Sequence, residues 1–281
     1  LYNQFLVEKI IKNALIEDMN DKDLTTDLLI EDDLYSTAYM IAKEEGVLAG
    51  ILVAKKVFTM LDTDISFEIL KEDGSILKKG EKIVKIKGKT KSILKGERTA
   101  LNLLQRMSGI ASLTNKYVDT IKEYPTRIVD TRKTTPNLRI LEKYAVSIGG
   151  GYNHRFNLSD AVMIKDNHIK AVGGIKEAIQ KAKRNIPHTA KIEIEVTSLE
   201  ELKEALDEGV DIIMLDNMDL LTMEKAVKIN NKQSILEASG NITIERVKEI
   251  AAIGVDIISV GALTHSVKAM DISLLFTDGG E

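Results

Sequence analysis

Apolar residues along this chain recur first at helical and then at strand spacing. Leu6, Ile10, Ile11, Ala14 and Leu15 predict an amphipathic helix over residues 3–17, followed by the polar loop EDMNDKDLTTD. From Tyr35 to about Lys89 the segments YSTAYMIAKEEG, ISFEILKEDG and EKIVKIKG alternate apolar and polar positions. They close on Gly46, Gly74 and Gly88, which predicts antiparallel strands. Between them VLAGILVAKKVFTML predicts a helix packed on that sheet. From Glu97 to Lys122 a long helical stretch is apolar on more than one face, so it is buried on both sides or dimerises. After Pro125 the short strands TRIVD, AVMIK, KIEIEV, DIIMLD, SILEAS and VDIISVG are separated by helical stretches such as LEELKEALDEG and ERVKEIAAIG. That alternation predicts a parallel sheet. Thr197 with Glu200 is the expected capping box at one strand-to-helix junction, and Gly209 and Gly254 are expected helix stops.

Charged residues fall at the ends of these strands one after another: Asp130-Thr131-Arg132-Lys133, then Lys165-Asp166, Glu195, Asp216, Glu237 with Ser239-Gly240, and Gly261. A β/α barrel distributes its active-site groups over successive strand ends in this way, whereas a doubly wound sheet gathers them at one switch point. The expectation is a barrel with a smaller companion domain, which 281 residues accommodate.

Composition narrows the chemistry. The chain is 44% apolar and 29% charged, has no run near the roughly 18 apolar residues of a membrane span, and is expected to be a soluble protein. Its N-terminal stretch is too charged for a secretory signal, and Leu1 in place of Met implies a residue or more missing or processed. Having no cysteine excludes disulfides, thiolate nucleophiles and cysteine-ligated metals and makes the cytoplasm the expected location. Four dispersed histidines form no H-E-x-x-H site, so a catalytic metal is expected to be oxygen-ligated. The net charge is −4, yet residues 130–170 hold seven Lys or Arg against four Asp or Glu. This local excess suits a polyanion.

Within that stretch Arg132, Lys133, Arg139, Arg155 and Lys165 surround Gly149-Gly150-Gly151. Converging cations lose hydration and repel unless an anion or carboxylates offset them, and Arg binds carboxylates bidentately. The glycines either end the helix NLRILEKYAVSI or bring backbone near a ligand, the latter being favoured for three in a row. His154, taken alone, reads as an ordinary hydrogen-bonded histidine. In KIEIEV, period two puts Lys191, Glu193 and Glu195 on one face. With Asp216, these acids either hold Mg²⁺ or neutralise Lys191 and Lys165, and both readings stay open. The segments EASGNIT and SVGALTH suit a phosphate cradle or two ordinary turns.

Taken together, DLTTD, GERTALNLLQRMSGIA, DTRKTTPNLRILEKYAV, GGGYNHRFNLSDAVMIKDNH, EIEVTSLEEL, IIMLDNM, LEASGNI and VGALTHSV closely resemble the quinolinate phosphoribosyltransferases over nearly the whole length. The resemblance implies an α/β fold with an N-terminal α/β sandwich over residues 1–110, completed by 268–281, and a C-terminal open β/α barrel over 111–267. It implies conversion of quinolinate and phosphoribosyl pyrophosphate into nicotinate mononucleotide, pyrophosphate and CO₂ with Mg²⁺. It further implies a homodimer in which Arg98 is contributed across the interface. By position, Arg132, His154, Arg155 and Lys165 match quinolinate-binding groups, and Lys133 a lysine between the substrates. Glu195 and Asp216 match acids that hold metal and ribose hydroxyls. Ser239, Gly240, Asn241, Gly261 and His265 match the 5′-phosphate cradle, Asn241 standing where many members have glycine. Three other readings compete: a paralogue acting on nicotinate or another aromatic acid, an aldolase using Lys165 as a Schiff base, and a carrier module built on DGSILKKGEKIVKIKG, which resembles lipoyl or biotinyl hairpins.

Overall fold

The computed structural model describes residues 3–277. In chain order they form α1 (Gln4–Asp18), α2 (Leu24–Leu29), β1 (Tyr35–Ala42), β2 (Gly46–Val47), α3 (Ile51–Leu61), β3 (Ser66–Ile69), β4 (Ile76–Leu77), β5 (Lys82–Lys89) and α4 (Thr90–Thr120). There follow β6 (Arg127–Val129), α5 (Arg139–Ile148), β7 (Val162–Ile164), α6 (Asp166–Val172), α7 (Ile175–Asn185), β8 (Ile192–Val196), α8 (Leu199–Asp207) and β9 (Ile212–Asp216). The last are α9 (Leu220–Asn230), β10 (Ile235–Ser239), α10 (Val247–Ile253), β11 (Ile257–Ser259), α11 (Ala262–His265) and β12 (Ile272–Phe276).

One compact unit comprises the described parts of Leu1–Asn115, Thr134–Gly150 and Leu263–Glu281. Its antiparallel sheet has the order β12-β1-β5-β3. Ala38, Met40 and Ala42 alternate into the core from β1, where Ala38 faces Ile86 and Met40 faces Val84 of β5. The helix α3 buries Val53, Ala54, Val57 and Phe58, and the Phe58 ring lies 5.9 Å from that of Phe67. β12 runs along β1 from Ala38↔Phe276 to Ala42↔Ile272, so the C-terminal segment completes this sheet; residues 278–281 of the expected segment lie outside the described residues. The carrier-like stretch is no hairpin, because β4 pairs with β2 while β5 pairs with β1 and β3.

The sequence reading carried residues 134–150 with the barrel, whereas the contacts of α5 group it with the first unit. Tyr144 donates to Asp73, whose other oxygen caps the Gly50 and Ile51 amides at the start of α3. Glu142, only 1% exposed, accepts from Arg106 at 2.7 Å and from the Thr135 amide. The triple glycine also acts here. A Cβ on Gly149 would stand 2.4 Å from the Ala111 carbonyl oxygen, and Gly150 takes φ +89 just past the helix end. Two of these glycines therefore stop a helix and let it approach α4, which replaces the expected backbone contact with a ligand.

The second unit spans Lys116–Lys133 and Gly151–Ala262. Its six strands are all parallel in the order β6-β11-β10-β9-β8-β7, leaving β6 and β7 as edges of an open barrel. Tyr152 extends the sheet past β6: it bridges Val129, donates to Ile128 O and accepts from Asp130 N. A few residues on, Arg155 donates to Ala161 O at 3.1 Å and to Met163 Sδ at 3.4 Å beside β7. One short segment thus spans the seam. At the end of β8 the helix cap sits one residue beyond the expected Thr197–Glu200 pair: Ser198 accepts from the Glu201 amide, and Thr197 donates twice to the Glu201 carboxylate. The Ser198 hydroxyl occupies the extended N-cap position, so Thr197 is left to brace Glu201.

Candidate active site

A cavity of about 560 Å³ opens within the second unit, lined at the strand ends by pairs two residues apart: Met163 and Lys165, Met214 and Asp216, Glu237 and Ser239. This spacing follows from the strand period of two, which points alternate side chains into the barrel. The cavity also gathers Arg132, Lys133, His154, Arg155, Glu195, Gly240 and Asn241. Arg98 is exposed on α4, Gly261 is half-buried and His265 is exposed with its Nδ1 at 2.6 Å from Ser266; none of these three lines the cavity. Thr131, Met163, Met214, Asn217, Glu237 and Ser259 line it without having been assigned a role from the sequence. The two methionines and Glu237 were discoverable from period two alone, since each precedes an assigned strand-end residue by two.

The cations crowd one another. Burial first, and then the charge of Arg132, lower the pKa of Arg155, against the opposing charges of Glu193, Glu195 and Asp160, as expected where two guanidiniums converge. Lys165 is ion-paired with Glu195. Part of the neutralising network foreseen for the acids is therefore present, but Lys191 is exposed and takes no part in it.

Glu193 meets His154 instead. Its Oε2 lies 3.2 Å from His154 Nε2, and Glu237 Oε2 lies 3.5 Å from the same nitrogen. Burial lowers the pKa of His154, but hydrogen bonds to Glu193 and Glu237 and their charges outweigh it and raise the value to about 10. Burial raises that of Glu193, with Glu237 adding to the effect and His154 opposing it. In the turn after β10, Gly240 has φ +90 and Asn241 φ +50, with Asn241 Nδ2 donating to Asn217 Oδ1 at 3.2 Å. Asn241 thus adopts the positive φ expected of a residue standing in for glycine.

Glu195 and Asp216 offer hard oxygen donors on adjacent parallel strands beside the cations. Such a donor set fits Mg²⁺, which takes one or two carboxylates and completes its shell with substrate oxygens and water. A cationic recess with acidic neighbours at the carboxyl ends of parallel barrel strands defines a β/α-barrel enzyme for a small polyanionic substrate. The family model for the N-terminal domain of quinolinate phosphoribosyl transferase matches residues 23–108, and that for the C-terminal domain matches residues 110–275. The chain belongs to the quinolinate phosphoribosyltransferase family. A Bacillus subtilis relative described as a probable nicotinate-nucleotide pyrophosphorylase (carboxylating) is 43% identical over 99% of this chain and 96% of its own. The crystal structure of NadC from Streptococcus pyogenes matches with a TM-score of 0.94 at 44% identity, covering 99% of both chains. The nicotinate-nucleotide pyrophosphorylase from Francisella tularensis does so with a TM-score of 0.94 at 42% identity, over 99% of this chain and 98% of that one.

Proposed function

We propose that this protein transfers the phosphoribosyl group of phosphoribosyl pyrophosphate to the ring nitrogen of quinolinate, with loss of pyrophosphate and CO₂, forming nicotinate mononucleotide for NAD biosynthesis. The observation that carries this reading is the convergence of Arg132, Lys133, Arg155 and Lys165 with Glu195 and Asp216 in one cavity of a member of this family. Arg132, Arg155 and Lys165, with His154 beside them, receive the quinolinate carboxylates; two carboxylates offset the repulsion between the guanidiniums. Lys133 lies between the substrates. Ser239, Gly240 and Asn241, followed in the next strand-to-helix turn by Gly261, take the 5′-phosphate. Glu195 and Asp216 hold the ribose hydroxyls and Mg²⁺, which when bound supplies charge neutralisation for the departing pyrophosphate.

As the bond from C1′ to pyrophosphate breaks, positive charge develops on the ribose, and the carboxylates of Glu195 and Asp216 stabilise it. The quinolinate nitrogen then bonds to C1′ and becomes cationic. That charge stabilises the electron pair left on C2 when the adjacent carboxylate departs as CO₂, and a proton taken up at C2 completes the product. No covalent nucleophile is needed, so the chain's residues act by orientation and electrostatics. A homodimer brings Arg98 of one protomer to the partner's site, in keeping with its exposed position on α4. The setting is the cytoplasm; among the described residues no helix is long and apolar enough to cross a membrane. An assay of CO₂ release with phosphoribosyl pyrophosphate and Mg²⁺ tests the reading. Turnover of quinolinate in clear preference to nicotinate is expected, and turnover of nicotinate alone overturns it.

A further inference from the structure

Arg155 is aimed by two neutral acceptors on one edge of the sheet. Period two along β7 sends Met163 and Lys165 to the cavity and Ile164, 5% exposed, into the core. Arg155 Nη1 donates to Ala161 O at 3.1 Å, just before that strand, and Nη2 donates to Met163 Sδ at 3.4 Å. Two contacts on one planar group fix its rotation, which a single contact would leave free. Among the described residues no carboxylate forms an ion pair with this guanidinium. Glu195 is taken by Lys165 and Asp160 accepts the Phe156 amide at 2.6 Å, so these acids, with Glu193, act on Arg155 only through their field.

A thioether suits this place. A carboxylate there would orient the guanidinium but also neutralise it, and an aliphatic side chain would not orient it at all. Sulfur is a weak acceptor that holds an N–H while leaving the charge for a substrate carboxylate. It is also open to oxidation. The chain has no cysteine, and six of its nine methionines are buried, leaving Met19, Met60 and Met163. Of these three only Met163 lines the cavity.

We propose that Met163 is a positioning residue that orients the Arg155 guanidinium for a quinolinate carboxylate, and that oxidation of its sulfur by a peroxide switches this contact off. In that step the sulfur gives a lone pair to one oxygen of hydrogen peroxide. The O–O bond breaks as the S–O bond forms, sulfur loses two electrons, and the other oxygen leaves as water with the transferred oxygen's proton. The sulfoxide oxygen is polar and a far stronger acceptor than sulfur, so it competes with the substrate carboxylate for the Arg155 N–H groups. The inference rests on the quinolinate reading above. Failure of untreated wild type to prefer quinolinate over nicotinate overturns both, whereas the variants below overturn the inference alone.

The full chain is treated with hydrogen peroxide, the sulfoxides are located by peptide mass mapping, and both KM values are measured. As Met163 gains oxygen, the KM for quinolinate should rise about tenfold, the scale of one charge-assisted contact, with that for phosphoribosyl pyrophosphate within about twofold. Methionine sulfoxide reductase acting on the treated protein should restore the original value. Met163→Leu keeps the side-chain volume, so its melting temperature should stay within about 3 °C of wild type. Its quinolinate KM should be raised about threefold by loss of the weak acceptor and should not respond to peroxide. Met163→Gln, which carries a strong neutral acceptor, should match the oxidised wild type without treatment. Met60→Leu should remain as peroxide-sensitive as wild type. A Met163→Leu protein with the wild-type quinolinate KM or with undiminished peroxide sensitivity would overturn the proposal. So would equal rises in both KM values, or a wild type oxidised at Met163 with its quinolinate KM unchanged.

Discussion

Replacing Gly240 by alanine tests how the turn after β10 is built. Gly240 sits at φ +90, where an L-residue costs roughly 1–2 kcal/mol. The added Cβ would also stand 2.2 Å from Asn217 Oδ1 and 2.9 Å from the Asn217 backbone nitrogen. Asn217 can swing its side chain aside only by giving up the 3.2 Å bond from Asn241. Its amide cannot yield at all without losing the 3.0 Å bond to the Ser239 carbonyl. One lost hydrogen bond adds about 1 kcal/mol, so the total is about 2–3 kcal/mol. Urea unfolding should show that loss if the turn keeps its shape. If the turn opens instead, the loss passes into binding and raises the KM for phosphoribosyl pyrophosphate by roughly 30- to 150-fold, with little change for quinolinate. A Gly240→Ala protein with both the unfolding midpoint and this KM of the wild type would refute the reasoning, because neither the strain nor the collision would then exist.

Arg132→Ala should leave the fold intact and weaken quinolinate binding by about 1.5–3 kcal/mol, or roughly 10- to 150-fold, from loss of a charge-assisted contact; unchanged steady-state kinetics would reject the assignment. Asp216→Asn should lower kcat by about a hundredfold and raise the Mg²⁺ concentration needed for half-maximal rate, and chelation should abolish wild-type activity until Mg²⁺ is restored. Full activity in chelator would remove the metal from the scheme. Arg98→Ala and Lys133→Ala should each be inactive alone yet recover about a quarter of wild-type activity when mixed, since a hybrid dimer carries one intact site. No recovery after demonstrated subunit exchange would place Arg98 outside the partner's site.

Regular alternation made the larger outline legible. The strands after Pro125, the sheet of the first unit and the helix now seen as α3 follow from periods of 2 and 3.6, because burial on one face writes itself into the chain. Local devices were less so. The long helix begins at Thr90 and not near Glu97, since Lys91, Ser92 and Lys95 gave no apolar signal although Ile93 is fully buried. The Ser198 cap and the Thr197 cap fit the sequence about equally, and only backbone angles separate them. Arg132, Lys133, Arg155, Lys165, Glu195 and Asp216 were gathered from strand ends and motif likeness and do share a cavity. The partners of Glu193 were not legible. Nothing in KIEIEV tells that a histidine from a loop, and not a lysine of its own strand, will meet it.

The segment from Tyr152 to Met163 covers an exposed sheet edge with the same residues that carry His154 and Arg155. An uncovered edge strand invites pairing with other chains. Attempts to alter specificity by lengthening or exchanging this loop therefore put solubility at stake along with recognition. Variation in the chemistry of individual side chains is better tolerated there than variation in loop length.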